Sequence, residues 1–290
     1  MNTVKSTSDR IFDAAVVVLL TIVGILCLFP FLNVLAKSLS SEGHVAAGEV
    51  WLWPLGFNVK AYQYILTNTG LWNSMGNTLY VTILGTALNT LLTIFVAYTV
   101  SRVYLPLRGA IYFLYIFTMM FSGGIIPTYL VVKQVGLINH LEALFLPGLV
   151  SAFNVTILRN YFMTIPPSLE ESAKMDGAGN ILVLARIMTP LAMPSIATVA
   201  LFSAVGYWND FFSALIYITS YSGRTLQVFL RGVVSAAKDI NMNDFDAINE
   251  LSLETIRGAT VFTATLPILL AYPFLQKYFV AGVMLGSVKE

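Results

Sequence analysis

The segment DINMNDFDAINE contains the side chains of this sequence that are best suited to bind a metal ion. Asp239, Asn241, Asn243 and Glu250 occupy positions 1, 3, 5 and 12 of the loop pattern that binds calcium in EF-hands. That pattern requires glycine at position 6, where the chain turns sharply, and this sequence has Asp244 there instead. The segment therefore has two interpretations, a calcium site and a solvated acidic loop, and the missing glycine favours the loop.

Residues for other kinds of chemistry are few. The single cysteine, Cys27, lies inside a long apolar run, and the two histidines, His44 and His140, lie far apart in predicted loops. They cannot form a His/Cys metal site, because such a site needs several of these ligands close together. The sequence also contains no Gly-Lys dipeptide, so it has no G-x-x-x-x-G-K-[ST] phosphate-binding loop. We therefore predict that this chain is not an enzyme and holds no metal or cofactor of its own.

One carboxylate lies within an otherwise apolar stretch. Asp210 follows Trp208 and Asn209 in residues 191–218. If that stretch spans a membrane, the carboxylate is costly there and is expected to face a cavity or a partner. Two interpretations follow. These three residues line a translocation pathway near the outer side, or Asp210 anchors the outer end of a helix through hydrogen bonds.

The composition of the chain predicts the elements that position these residues. Hydrophobic residues make up 57% of the 290 residues and charged residues 11%, whereas soluble domains average about 25% charged residues. Apolar runs of about 20 residues without charge are long enough to cross a bilayer as helices. We predict an all-α membrane protein with six transmembrane helices in a single domain over residues 1–290. The predicted spans are residues 14–36, 78–100, 110–132, 143–163, 191–218 and 259–280.

The distribution of basic residues predicts the orientation of the chain in the membrane. The short loop between the second and third spans contains Arg102 and Arg108, whereas residues 135–141 contain no Lys or Arg. Short cytoplasmic loops are enriched in basic residues. We therefore place that loop, both termini and residues 164–190 in the cytoplasm. The net charge of +1 gives no reason to expect binding to nucleic acid.

The third predicted span has an irregular feature near its centre, where Met119 and Met120 precede Gly123 and Gly124. One explanation is a broken or flexible span. The other is close packing of a second helix against the glycines. The sequence alone leaves both explanations open.

A polar stretch, PPSLEESAKMDGAGN, interrupts the apolar pattern at residues 166–180. Ser168 and Glu171 match the S-x-x-E capping box that begins many helices. Gly177 can adopt the left-handed conformation that ends a helix. We therefore predict a helix of about two turns over Leu169–Asp176.

A second helical segment is predicted directly after this one. Asn180 can cap residues 181–189, and Pro190 and Pro194 interrupt the chain after them. Helices this short are not stable alone in water, so the first segment must pack on a surface. That surface belongs either to the chain's own helix bundle or to another protein, and the physical argument does not choose between them.

The polar stretch and the residues after it resemble the EAA loop of ABC importer permeases. The resemblance is carried by the run EESAKMDGAGNILVLARIMTPLAMP. Ser172 replaces the first alanine of the family's Glu-Ala-Ala pattern, which exchanges one small residue for another. The matching residues are Glu171, Ala173, Asp176, Gly177, Ala178, Pro190, Leu191 and Pro194.

The resemblance extends along the whole chain. It is strongest to the maltose-type carbohydrate permeases, and among them to the smaller, six-span partner subunit. The runs YWNDFFSALIYI and PILLAYPFLQKYFVAGVMLGSVKE resemble that group. The run MMFSGGIIPTYLVVKQVGLINH resembles a subgroup that imports oligosaccharides from plant or algal polysaccharides, with the alginate-oligosaccharide importer as the best parallel.

The resemblance implies a type I ABC importer permease fold in a bacterial cytoplasmic membrane, with a cytoplasmic EAA coupling helix inside the loop 164–190. In this family the coupling helix docks on a cytoplasmic ATPase subunit, and ATP binding there changes the side from which the permease is open. The residues implied in coupling are Glu171, Ser172, Ala173, Asp176, Gly177 and Ala178. Trp208, Asn209 and Asp210 are the candidates for the translocation pathway.

The resemblance also implies partners. They are a second, homologous permease subunit in a heterodimer, two ATPase subunits that bind ATP and Mg, and an extracytoplasmic solute-binding protein. The implied substrate is an oligosaccharide, with uronate-containing fragments of alginate or pectin among the candidates, and membrane lipid surrounds the spans. An ion-coupled secondary transporter is the alternative function. Such carriers often have ionisable residues at the midplane, and Asp210 is the one clear candidate in this sequence.

Overall fold

The computed structural model of the chain describes residues 7–235 and 253–287, with the side chains of residues 8–235 and 253–270. The candidate calcium loop at residues 239–250 lies outside the described residues. Within the described residues every regular element is a helix, in agreement with the predicted all-α class. The helices in chain order are α1 (Thr7–Ser38), α2 (Glu42–Ala46), α3 (Lys60–Leu66), α4 (Thr69–Ser101), α5 (Arg108–Met120), α6 (Ile125–Gln134), α7 (Ala152–Thr164), α8 (Pro167–Met175), α9 (Asn180–Val183), α10 (Thr189–Leu191), α11 (Met193–Asn209), α12 (Phe212–Tyr217), α13 (Leu226–Ser235) and α14 (Leu253–Ser287).

Three short or irregular segments complete this order. The 3₁₀ turns Leu141–Leu144 and Leu146–Gly148 precede α7, and a π-helical segment, Leu184–Met188, joins α9 to α10. The chain divides into two compact units. The first takes in Met1–Thr69 and Leu230–Leu266, and the second takes in Gly70–Phe229 and Pro267–Glu290. The prediction of one permease domain over residues 1–290 stays a prediction.

Three helices in the described residues are each long and apolar enough to cross a membrane, namely α1, α4 and α14. Three bent pairs of helical segments bring the number to six if each pair counts as one span. The bends are 114° between α5 and α6, 51° between the 3₁₀ turns and α7, and 84° between the helical segment Asn180–Leu191 and α11. The described residues therefore contain up to six helical regions that are long and apolar enough to span a membrane, three of which are bent.

In the first unit, α1 packs against the beginning of α14. Lys37 forms an ion pair with Glu254, with Nζ and Oε2 3.2 Å apart. Gly258 allows the two helices to approach closely, because a Cβ atom added there would lie 3.0 Å from the carbonyl oxygen of Val34. A larger residue at position 258 would force the helices apart.

In the second unit, α4, α7 and α11 pack around one hydrophobic core, and the segment that follows α8 contributes to it. The described core side chains lie on several helices, so burial of apolar surface holds the bundle together. The buried members are Ala97, Tyr98, Val100, Val155, Leu158, Phe162, Val183, Leu184, Met188, Ala192, Ile196 and Val199.

The third predicted span, residues 110–132, is broken. α5 ends at Met120 and α6 begins at Ile125, and Gly124 between them has a φ of +87°. That conformation is open to glycine and strained for other residues. A Cβ atom added at Gly124 would meet no atom within 4 Å among the described residues. The broken-span explanation therefore fits the structure, and close packing at this glycine does not.

The fifth predicted span, residues 191–218, is also interrupted and is shorter than predicted. α11 ends at Asn209, and the backbone of Asp210 is extended, with a ψ of 107°. The Asp210 Oδ1 atom accepts a hydrogen bond from the backbone nitrogen of Ser213 at 3.1 Å, in the first turn of α12. Aspartate side chains compete in this way with the helical hydrogen bonds of the backbone, which explains why the helix stops here.

Candidate functional site

Helix α8 is the short polar helix that the sequence predicts, and it begins slightly earlier than expected. Pro166 is its N-cap and Pro167 is its first residue. No side chain caps this end, so the predicted Ser168–Glu171 capping box is wrong. The reason is that proline is favoured at the first helical position, where its fixed φ fits and its missing N–H is not needed. Ser168 therefore lies inside the first turn instead of before it.

The predicted glycine turn at the end of α8 is confirmed. Gly177 has a φ of +83°. The Ala178 nitrogen donates to the Ala173 oxygen at 2.9 Å, and the Gly177 nitrogen donates to the Lys174 oxygen at 3.0 Å. These two bonds form a Schellman motif, which satisfies carbonyl groups that the helix end would otherwise leave unpaired.

The six predicted coupling residues divide into two groups by exposure. Glu171, Ser172, Asp176 and Gly177 are exposed, whereas Ala173 and Ala178 are half-buried against the hydrophobic core. Large apolar side chains are exposed beside the first group. They are Leu169, Met175, Ile181 and Leu182, and Met175 is 89% exposed and Ile181 78%. We call this combination of exposed acidic and apolar residues the α8 face.

Glu170, which the sequence analysis did not select, is the buried acid of the loop and is 5% exposed. It forms an ion pair with Arg102, and its Oε1 atom lies 2.8 Å from the Lys174 Nζ atom. The hydroxyl groups of Tyr98 and Tyr104 donate to the same oxygen at 3.3 and 3.2 Å. Burial opposes ionisation of Glu170, but the hydrogen bonds from Lys174 and Arg102 outweigh it and lower the pKa of this carboxyl.

Arg102 connects this cluster to two other helices. It follows the last residue of α4, and its Nη2 atom donates to the carbonyl oxygen of Phe162 in α7 at 3.3 Å. Its guanidinium also lies over the ring of Tyr98, 4.8 Å from the ring centroid. The inner side of α8 is therefore held on the chain's own bundle, while the α8 face points outward.

The segment after α8 also packs on the bundle. Gly179 is the N-cap of α9 and Asn180 is its first residue, so the predicted Asn180 cap is displaced by one residue. The π-helical segment ends just before Pro190, whose missing N–H removes one hydrogen bond of a regular helix. Met188 and Ala192 are buried beside it. The loop is therefore a folded part of the second unit.

A polar cavity of about 410 Å³ lies elsewhere in the second unit. Asp210 lines it. Trp208 does not: it is buried, and its carbonyl oxygen accepts a hydrogen bond from Gln227 at 3.3 Å. The side chain of Asn209 donates to the Val205 oxygen. The cavity lining consists of Asn89, Leu144, Gly148, Ser151, Phe153, Asn154, Phe202, Ser203, Gly206, Tyr207 and Asp210.

Three of these lining residues form a buried hydrogen-bond network that joins α4, α7 and α11. The Asn154 Nδ2 atom donates to the Ser203 Oγ atom at 3.0 Å, and that hydroxyl donates to the Asn89 Oδ1 atom at 2.7 Å. The Asn89 Nδ2 atom donates to the Leu149 carbonyl oxygen at 2.7 Å. The sequence analysis missed these residues, because single asparagines and serines in apolar helices give no recognisable spacing.

The family of the chain follows from a stretch of sequence that contains the whole cavity lining and most of α14. Residues 89–284 match the family model described as "Binding-protein-dependent transport system inner membrane component". The chain belongs to this family. The matched residues include α8, the segment after it and all of the residues that line the cavity.

Two relatives from Bacillus subtilis strain 168 extend the match beyond that region. The polygalacturonan/rhamnogalacturonan transport system permease protein YtcP is 40% identical over 283 residues, which cover 97% of this chain and 99% of YtcP. The protein LplC is 42% identical over 287 residues, which cover 98% of this chain and 97% of LplC. Membership in the permease family therefore involves nearly the whole chain.

A solved structure has the same fold. It is the crystal structure of a bacterial ABC transporter involved in the import of the acidic polysaccharide alginate. One of its chains matches with a TM-score of 0.91 and 32% identity, covering 96% of this chain and 100% of that chain. The predicted permease fold and the resemblance to carbohydrate ABC importer permeases are confirmed. The matched family is a transport system component and YtcP is a transport permease, so the prediction that this family member is not an enzyme is confirmed as well.

Proposed function

We propose that the chain is the permease subunit of an ATP-driven importer that moves oligosaccharides across a bacterial cytoplasmic membrane. Uronate-containing fragments of pectin or alginate are the proposed substrates. The names of YtcP and of the alginate transporter support this substrate class, because both refer to the transport of acidic polysaccharides. The observation that carries the coupling to ATP is the outward α8 face on a helix whose inner side is held by Glu170.

The α8 face has the properties of a docking surface for an ATPase subunit. Exposed apolar groups that lie next to polar ones mark protein interaction sites. Met175 and Ile181 supply the apolar part of the α8 face, and Glu171 and Asp176 supply negative charge. A docked ATPase would bury this surface and could carry α8 with it. Because Glu170 binds Arg102 at the end of α4, a displacement of α8 would be passed to a long membrane helix.

The proposed orientation places α8 and both termini in the cytoplasm. Arg102 binds Glu170 of α8, and Arg108 is the first residue of α5. The positive-inside rule assigns the side that carries these two arginines to the cytoplasm. The loop at residues 135–141, which has no Lys or Arg, is then outside. This orientation is the one that lets a cytoplasmic ATPase reach the α8 face.

The proposed partners follow from the number of docking helices. One chain offers one α8, and an ABC engine has two ATPase subunits, so we propose a second, homologous permease in a heterodimer. A solute-binding protein is the expected outer partner, because the family description refers to binding-protein-dependent transport. The ion-coupled secondary transporter is the weaker candidate, because the solved structure with the same fold belongs to an ABC transporter.

Reconstitution tests the proposed function. The chain is placed in liposomes with a second permease, the ATPase subunits and the binding protein encoded beside it, and trigalacturonate uptake is measured. We expect uptake that requires both ATP and the binding protein. Uptake driven by a proton gradient without ATP would contradict the proposal and favour the ion-coupled alternative.

A further inference from the structure

The polar cavity has a lining that suits a sugar but not an anion. Hydrogen-bonding side chains occupy one part of it, and none of its lining residues is Lys, Arg or His. Its one charged group is the carboxylate of Asp210. Convergent polar groups among apolar ones are typical of small-molecule sites, and the sign of the charge decides which part of a ligand can enter.

Another part of the cavity wall is aromatic. Phe153 and Phe202 lie 6.2 Å apart between ring centroids, with a tilt of 39°, and Tyr207 lines the same space. Aromatic rings offer large, rigid apolar surfaces on which the C–H faces of a pyranose ring can pack. Gly206 adds open space, because a Cβ atom built there would meet no described atom within 4 Å.

We infer that this cavity is a subsite for the neutral, hydroxyl-bearing edge of a glycosyl residue, and that the carboxylate of a uronate points away from it. The inference rests on the proposed function and names the part of the substrate that this chain binds. In a pyranuronate the carboxylate is attached to C5, and the hydroxyl groups on C2 and C3 lie on the opposite edge of the ring. A sugar can therefore present hydroxyl groups to the cavity while its charge lies elsewhere.

The role of Asp210 follows from its charge. A carboxylate accepts several hydrogen bonds, and Asp210 uses Oδ1 for the Ser213 nitrogen. Its acceptor capacity suits the O–H groups of a sugar. A uronate carboxylate in the same cavity would meet a like charge with no cation in the lining to offset it. Asp210 therefore selects the neutral edge.

The test uses the reconstituted complete transporter with trigalacturonate as the probe. Asp210→Asn keeps an oxygen acceptor for Ser213 and removes the charge. If the neutral edge binds here, uptake falls about tenfold, because a hydrogen bond to a charged acceptor is lost. If the uronate carboxylate faces the cavity, the same change removes a repulsion, and uptake rises above that of the wild type. A rise would overturn the inference.

A matched pair at Gly206 separates the two cases independently. Gly206→Met and Gly206→Lys place side chains of similar length in the cavity, one neutral and one cationic. We expect both to lower uptake at least about tenfold, because a displaced substrate loses its productive position. Faster uptake with Gly206→Lys than in the wild type would show that the cavity receives a carboxylate. Unchanged uptake with Gly206→Met would show that the cavity is not on the pathway.

Gly76→Met is the control, since Gly76 is an exposed glycine of α4 whose built Cβ atom also meets nothing within 4 Å. It should leave uptake at the wild-type level. Recovery of the ATPase subunits with each variant, in the wild-type ratio, excludes failure of assembly. If the wild-type complex imports neither trigalacturonate nor its carboxyl-reduced form, the proposed function itself is wrong, and the subsite is rejected with it.

Discussion

At the scale of single residues, Glu170 has two ion-pair partners, Arg102 and Lys174, in and beside the loop that contains α8. Its carboxylate is buried and binds both Arg102 and Lys174. We predict that Glu170→Gln lowers the free energy of unfolding by about 3 kcal/mol, because it leaves a half-buried guanidinium without its counter-charge. Denaturant unfolding of the purified chain in detergent measures this difference.

The matched control for this variant is the neighbouring carboxylate. Glu171 is exposed, so Glu171→Gln should change the free energy of unfolding by less than about 0.5 kcal/mol. In the complete transporter we expect the opposite order for the amount of ATPase that is recovered with the permease. Glu171→Gln should lower it more than Glu170→Gln, because Glu171 belongs to the α8 face and Glu170 does not. Equal unfolding free energies for the two variants would contradict the role given to Glu170.

The same cluster predicts little pH dependence near neutrality. Because the pKa of Glu170 is lowered, its ionised carboxylate stabilises the folded state at pH values above the ordinary glutamate pKa. This stabilisation is lost only as pH falls through the lowered pKa. The hydrogen bond to Glu170 raises the pKa of Lys174, so its contribution is lost only as pH rises through that raised value. The cost of Glu170→Gln should therefore be the same at about pH 6 and about pH 8. A cost that changes strongly within this range would show that the cluster is not ionised as described.

Sequence patterns predicted the role of Gly177 but missed that of Glu170, and the difference has a physical reason. Gly177 was predictable, because the need for a left-handed residue at a helix end is local to a few positions. Glu170 lies four residues before Lys174, a spacing that indicates only an ordinary pair on a helix surface. Its burial depends on Arg102, which is 68 residues away in the sequence.

At the scale of elements, the end of α8 provides a test of coupling. Gly177 has a φ of +83°, and its built Cβ atom meets no described atom, so a side chain there is strained by the backbone alone. The backbone strain in Gly177→Val should destabilise the end of α8 by about 1–3 kcal/mol and open the Schellman turn. We expect the variant to insert in the membrane but to recover less ATPase and to lose most sugar uptake.

Gly179→Val is the control for this prediction, because it makes the same substitution two residues further along. Gly179 has a φ of −73° and a ψ of 161°, a region that valine readily adopts. Its built Cβ atom also meets nothing within 4 Å. Normal uptake and normal ATPase recovery in Gly177→Val would remove the coupling role of this turn.

The helices were more predictable than their interruptions. Long uncharged runs predict α1, α4 and α14, because a bilayer requires about 20 apolar residues. For Gly123 and Gly124 the sequence allowed two explanations, a broken span or close helix packing, because glycine is used for both. The structure shows the break, which lies before α6. The end of α11 at Asn209 depends on a hydrogen bond that the Asp210 carboxylate accepts from the backbone nitrogen of Ser213 in the next turn, and hydropathy alone does not reveal such a bond.

At the scale of the whole molecule, the orientation in the membrane is testable with single cysteines. Cys27 is the only cysteine and is first replaced by serine. Met175→Cys and Val135→Cys then introduce thiols at exposed positions on the two predicted sides. We expect an impermeant maleimide to label residue 175 only from the cytoplasm and residue 135 only from outside. Labelling with the sides exchanged would place the α8 face out of reach of a cytoplasmic ATPase.

Partnership is the property that a single chain reveals least, and it follows here from counting. One α8 can engage one ATPase subunit, and the residues of this chain that line the polar cavity include no Lys, Arg or His. Since the sequence resembles the smaller member of a two-permease pair, we expect an unlike second permease to complete the pathway and to supply the cations that a uronate requires.

Expression of this chain with only the ATPase and the binding protein should therefore give little sugar-stimulated ATP hydrolysis, and adding the neighbouring permease gene should restore it. Full stimulation without that gene would mean that two copies of this chain suffice, and the charge of the substrate would then have to be met by residues of this chain.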